Sequence, residues 1–238
     1  MSRRLIALIA AFATLLAAGS AAGQTVPADN ARTALAAGAQ AMQFQVAPDF
    51  QLQSFQGSLL SYKRHLSPSR AIRLGIGLAL SDRDRNSSEE ISEADTLREV
   101  RKDDLEENLF GLHLIAQYLH YASPTPRTAL FLGAGPTFEY SRSHQKTAWT
   151  NIGYPASEDG ISKSFEVGLT LLAGVEWFAT RELSLHAEYG LTAGYQWGKS
   201  ESTKEIQYAP PRTSVEHGES HAWTLDDSGV LFGVSLYF

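Results

Sequence analysis

From Glu182 to Gly198 the chain sets an apolar residue at every second position. Leu183, Leu185, Ala187, Tyr189, Leu191, Ala193, Tyr195 and Trp197 alternate with Glu182, Ser184, His186, Glu188, Gly190, Thr192, Gly194, Gln196 and Gly198. A period of two belongs to a β-strand whose two faces meet different surroundings. Strands of soluble sandwiches usually run about 5 to 6 residues. Seventeen residues without a break predict instead a tilted strand that crosses a bilayer, one face in lipid and the other in a polar lumen.

The alternation recurs along the chain. Phe165, Val167, Leu169, Leu171, Ala173, Val175 and Trp177 stand against Glu166, Gly168, Thr170 and Glu176, and Leu130, Leu132, Ala134, Phe138 and Tyr140 against Phe131, Gly133, Gly135, Thr137 and Glu139. Phe110 to Tyr118 and Ile72 to Leu80 repeat it, and Val230, Phe232, Val234, Leu236 and Phe238 close the chain in the same rhythm. Connections alternate too: Ser67-Pro68-Ser69-Arg70, Ala122 to Arg127 and Ala179 to Glu182 are tight, whereas Asp82 to Asn108, Arg142 to Lys163 and Lys199 to His221 are extended. Short turns on one side and long loops on the other are the habit of up-and-down transmembrane barrels. Since the last strand descends from a long loop, the strand before Ser67 descends as well and needs an ascending partner. Met42, Phe44 and Val46 supply it over Ala41 to Ala47, ahead of a turn at Pro48-Asp49. The count is eight, an even number.

Near the N-terminus, Arg3 and Arg4 precede an apolar run from Leu5 to Ala18 and small residues from Gly19 to Gly23. This predicts a secretory signal peptide over residues 1–23, cleaved after Ala22 or Gly23, because the apolar core is short for a lasting membrane helix. Residues 24–38 then form a lead-in on the short-turn side, and 39–238 the barrel. No other run is apolar enough to cross a bilayer as a helix, so a closed barrel is the remaining route of insertion.

The absence of cysteine excludes disulfides, thiolate metal sites and cysteine nucleophiles. Without Arg3 and Arg4 the chain holds 18 basic and 26 acidic residues, a formal net charge of −8, and nucleic acid is not an expected partner. Most of the excess lies between Asp82 and Glu107, where eleven acidic residues meet five basic ones. No Asp-x-Asp-x-Asp-Gly spacing organises these carboxylates. They are read as a solvated loop, with no metal and no cofactor expected.

Signal peptide, eight alternating strands, three long loops and a terminal Phe238 together resemble the small bacterial outer-membrane barrels of the OmpA-transmembrane-domain, OmpX and OmpW type. The resemblance spans roughly residues 39–238. It implies an all-β fold, an eight-stranded antiparallel up-and-down transmembrane β-barrel with short periplasmic turns and long extracellular loops, held in the bacterial outer membrane. It further implies contact with outer-membrane lipids including lipopolysaccharide, and recognition by the outer-membrane assembly machinery through Val230, Phe232, Val234, Leu236 and Phe238. The peptidoglycan-binding domain of larger OmpA-like proteins is not expected. About activity such a resemblance says little, because one architecture hosts many functions.

Eight strands enclose a space about wide enough for their own side chains. A polar plug is therefore expected, with Arg73, Glu176, Glu182, His186 and Glu188 as an ion-paired lumen network, since buried charges need partners. Ser184, His186 and Glu188 have the residue types of a nucleophilic hydrolase, and lipid A deacylases are barrels of this size. Positions i and i+2 lie about 6.6 to 7 Å apart along a strand, however, beyond hydrogen-bond reach, and the deacylases' His-x-Ser pattern is not matched, because position 188 is Glu. Asp82-Arg83-Asp84 resembles one half of an omptin protease site, but the Asp-x-His half is missing and His217, His221, Asp226 and Asp227 stand at other spacings. Tyr118, Tyr121, Trp177, Tyr237 and Phe238 on the short-turn side, and Tyr140, Phe165, Tyr195, Trp197 and Trp223 on the other, predict two interfacial girdles. Trp149 and Tyr154 fall within a long loop, where an aromatic meets either its neighbours or a partner. The expectation is a non-enzymatic barrel, a plugged scaffold whose extracellular loops serve interaction or envelope integrity. A small-solute pore and a lipid A-modifying enzyme are the alternatives.

Overall fold

The alternation is carried by eight strands: β1 (Gln40–Gln51), β2 (Gln56–Ser67), β3 (Arg70–Glu93), β4 (Leu97–Ala122), β5 (Thr128–Asn151), β6 (Tyr154–Phe178), β7 (Leu183–Ile206) and β8 (Arg212–Tyr237). Each pairs antiparallel with the next, and β1 returns to β8 through Met42↔Leu236 and Phe44↔Val234, which closes the barrel. The computed structural model describes residues 34–52, 56–93, 97–122, 125, 127–151, 154–207 and 212–238. The expected signal peptide and the lead-in up to residue 33 lie outside the described residues.

Relative to a soluble sheet the faces are inverted. On β3, Ile72, Leu74, Ile76, Leu78 and Leu80 are 41–53 % exposed, whereas Arg73 is 1 % exposed. A continuous exposed band of large apolar side chains around polar contents suits a surrounding hydrocarbon phase and not water.

Crowding in the lumen explains one glycine directly. A Cβ built at Gly135 would lie 1.9 Å from the Ala116 carbonyl oxygen, next to Pro136, which has no N–H to offer the ladder with β4. Backbone cannot withdraw from such a clash as a flexible side chain can. Gly135→Ala is therefore expected to prevent closure, read as loss of the compact unboiled band in SDS gels. Gly160→Ala, where a Cβ would meet nothing nearer than 3.8 Å, should keep that band.

Two sequence expectations need correction. The segments read as long loops are mostly sheet: β3 to β8 run 24 to 26 residues against 12 for β1 and β2, and the ladders continue to Glu93↔Leu97, Asn151↔Tyr154 and Ile206↔Arg212. Beyond the apolar belt both faces are wet, so the period of two no longer separates apolar from polar residues and goes unseen. Nor does the chain turn at Pro48-Asp49. β1 continues to Gln51, and its register with β2 shifts between Val46 and Gln51, where a proline interrupts pairing.

Strand length then decides the shape of the outer part. The β1–β8 ladder stops at Val46↔Phe232 and the β2–β3 ladder at Leu60↔Ile76, while β3 to β8 remain paired to one another well beyond. A six-stranded sheet thus projects from the ring. Its concave face continues the lumen, and β3 and β8 are its edges. In β8 one extra residue joins the two parts: Tyr189 pairs with Val230 but Leu191 with Asp227, Gly229 adopts a φ of 62°, and Gly190 N donates to Ser228 Oγ at 2.9 Å. This β-bulge lets Trp223 and Leu225 face outward above it and Phe232, Val234 and Leu236 below it.

Candidate functional site: a strutted lumen beneath a projecting sheet

At the short-turn end the lumen has an apolar floor. Residues just before β1 fold back across the mouth, with Gly38 N donating to the His65 carbonyl and His65 N to the Ala39 carbonyl, each at 2.8 Å. Leu35 is thereby buried in a cluster with Leu119, Tyr121, Phe131, Leu172 and Phe178. The end of the lead-in, placed outside the barrel from sequence, is part of its seal.

Above the floor two ion pairs span the interior. Lys63 on β2 meets Glu176 on β6 at 2.9 Å, and Arg73 on β3 meets Glu188 on β7 through two contacts of 2.7 and 2.9 Å. In a ring of eight, strands four apart face each other. Both pairs therefore cross the full lumen as struts. Each charge is also heavily hydrogen-bonded, as a buried ion pair must be to offset desolvation. Glu176 accepts from Tyr121 (2.9 Å), Ser184 (2.5 Å), Tyr237 (2.8 Å) and Ser235 (3.3 Å) besides Lys63. Arg73 donates to Gln117 through Nε at 2.8 Å and also through an Nη.

Of the five residues proposed for this network from sequence, Arg73, Glu176, His186 and Glu188 lie buried in the lumen, but Glu182 does not. It is exposed in the turn before β7, one residue too early to share the inward face. Sequence reasoning missed Lys63, because the phase of β2 was not read. It also placed Tyr121 and Tyr237 in the short-turn girdle, whereas both hydroxyls point inward onto Glu176. Parity held the signal: Tyr121 shares odd numbering with the inward Gln117, and Tyr237 is out of step with Leu236 and Phe238.

The Ser184-His186-Glu188 run is not assembled as a triad. Ser184 Oγ donates to Glu176, Glu188 holds Arg73, His186 Nδ1 lies 3.3 Å from Ser235 Oγ, and His186 Nε2 has no hydrogen-bond partner among the described residues. All three are buried among the struts. The half-omptin residues Asp82 and Asp84 stand on β3 and His217, His221, Asp226 and Asp227 on β8, the two separate edges of the projecting sheet. No group of three or more His, Asp or Glu able to hold a metal occurs among the described residues.

At the other boundary a connected arc of rings follows the outer surface from β4 to β8. Phe110 contacts Tyr140 (6.1 Å), Tyr140 contacts Phe165 (4.8 Å), Phe165 stacks on Trp197 (5.7 Å), and Tyr195 reaches Trp223 (5.1 Å). Rings with one apolar and one wet side suit the level at which hydrocarbon gives way to headgroups.

Above that arc the two faces of the projecting sheet differ in chemistry. The convex face carries charge, including His144 against Asp159 (2.7 Å) and Lys199 against Glu219 (3.1 Å). The concave face carries cross-strand rows of small hydroxyls and glycine, such as Ser143-Ser162-Ser200-Gly218 and Gln145-Gly160-Ser202, together with Glu158, Glu166 and Lys204.

No protein-family model matches the chain, and no curated protein matches it in sequence. Among solved structures it is similar to a major outer membrane protein from Thermus thermophilus, at 15 % identity and a TM-score of 0.47 over 85 % of this chain and 100 % of that one. It is also similar to CarO of Acinetobacter baumannii, at 12 % identity and a TM-score of 0.34 over 86 % and 98 %. A third is Ail, the attachment invasion locus protein of Yersinia pestis, at 8 % identity and a TM-score of 0.33 over 85 % and 99 %. By its own closure, strand count and inverted faces, the chain is a small eight-stranded β-barrel of the kind found in bacterial outer membranes.

Proposed function

We propose that the protein is a non-enzymatic outer-membrane scaffold that conducts nothing and presents its projecting sheet to the outside. The observation that carries this reading is the double seal: an apolar floor with Leu35 at its centre, and two diametric ion pairs above it. A pore needs a continuous wet path, and a hydrolase needs a nucleophile beside its base. The lumen supports neither. On this reading the belt contacts outer-membrane lipids including lipopolysaccharide, and the outward Phe232, Val234, Leu236 and Phe238 of β8, with Val230, form the pattern read by the assembly machinery. The outer parts of the β5–β6 and β7–β8 hairpins form the surface for a ligand.

Conductance tests it. Purified barrel in a planar lipid bilayer is expected to give no steady current above background. A steady conductance altered by Arg73→Ser would overturn the sealed scaffold in favour of a pore.

A further inference from the structure

The concave face of the projecting sheet contains a cavity of ≈ 290 Å³, lined by β5, β6 and β7. Trp149 stands at its outer end, half-buried, with Lys204 Nζ 5.3 Å from its ring centroid. Glu158 lies on the next row inward, opposite Thr147 and Lys204, and accepts from Ser202 Oγ at 2.8 Å. Below it Gln145, Gly160 and Ser202 form one row across three strands. The floor at Gly160 is open: a Cβ there would meet no atom nearer than 3.8 Å. Packing therefore does not require glycine at 160. What glycine does there is leave the cavity deep.

We infer that this cavity binds hexopyranose units of a neutral glycan, a reading that rests on the projecting sheet being the interaction surface. A sugar ring offers an apolar C–H face and a rim of hydroxyls, and the cavity offers both complements. The π face of Trp149 attracts the slightly positive C–H bonds, as it already attracts the Lys204 ammonium. Glu158, Gln145 and the hydroxyls of Ser143, Thr147, Ser162 and Ser200 supply donors and acceptors along the rim. A few placed polar groups around an aromatic platform in a concave site give orientation as well as affinity. The charge distribution points the same way. Within the site Glu158 stands opposite Lys204, so the cavity offers an anionic ligand no net positive charge.

The test uses the full-length barrel folded in detergent micelles, titrated with gluco-, manno- and galacto-configured neutral tetrasaccharides and with one sulfated tetrasaccharide, followed by tryptophan fluorescence and calorimetry. At least one neutral tetrasaccharide is expected to saturate. Trp149→Ala should weaken it by about tenfold or more, as loss of a central aromatic anchor does, and Gly160→Val should abolish it by filling the floor. Lys146→Ala, on the convex face, should change nothing. Gly160→Val suits a strand, so a normal heat-modifiable band certifies that the barrel is intact. Polysaccharide freed from the producing cell's own lipopolysaccharide, titrated alongside, separates a ligand on the same membrane from one on another surface. Failure of every neutral saccharide to saturate overturns the glycan site, as does binding indifferent to both Trp149→Ala and Gly160→Val, or salt-sensitive binding of the sulfated probe alone. None of these results touches the sealed scaffold, which stands or falls on conductance.

Discussion

Glu176→Gln is expected to lower the stability of the barrel by about 3–5 kcal/mol, the typical consequence of leaving one partner of a buried ion pair alone. Lys63 is fully buried; its ammonium donates to the Glu176 carboxylate and the Tyr121 hydroxyl and lies 4.9 Å from the centroid of the Tyr237 ring, so Glu176 is the anion that compensates it. An amide at 176 keeps the shape and several hydrogen bonds but removes the compensating charge. The loss is then electrostatic and not a matter of packing. At a slope of about 2 kcal/mol per M, the urea midpoint of the micelle-folded protein should fall by roughly 2 M. The double variant Lys63→Met with Glu176→Gln removes both charges and should recover most of the loss, because replacing a whole buried pair by groups of similar volume is often close to neutral. Equal midpoints for the single and double variants would mean that the strut is not what the single substitution breaks.

The belt was legible in the sequence because lipid outside and polar contents inside give the two faces opposite character. Ile72 to Leu80 and Leu183 to Trp197 could hardly be read as anything else. The network was legible in part for the same reason: Arg73, Glu176, His186 and Glu188 interrupt apolar runs with strict parity. What could not be read was whatever depends on pairing. Lys63 becomes a strut only when β2 is set opposite β6, a fact of ring geometry. The outer sheet was taken for loops, since Ser141-Arg142-Ser143-His144 alternates between hydroxyl and charge and not between apolar and polar. That alternation has a meaning once the ladder is known, with hydroxyls concave and charges convex. Trp149 was visible as an unassigned aromatic, but the adjacent row of Thr147, Glu158 and Lys204 comes from three strands, and only the register brings them together.

Register also governs the second large effect. In β8 the odd positions face outward above the bulge and the even ones below it, and the extra residue at Ser228-Gly229 reconciles the two. Deleting Gly229 would let Ser228 sit opposite Gly190 and Val230 opposite Tyr189 in a regular ladder, with every flanking side chain on its present face. That chain should assemble and keep its heat-modifiable band. Deleting Gly233 instead shifts residues 234–238 by one, and a slip of one exchanges the faces. Ser235 and Tyr237 would turn to lipid, taking two hydrogen bonds from Glu176, while Leu236 and Phe238 would turn onto the struts. Val234 would also lose its place opposite Leu185 and Phe44. The Gly233 deletion is expected to abolish the compact band in outer-membrane fractions, although it removes a single residue of the same type only four positions away. If both deletions assembled equally well, the closing strand would be tolerant of register, and the inward hydroxyls of Ser235 and Tyr237 would not be what holds it.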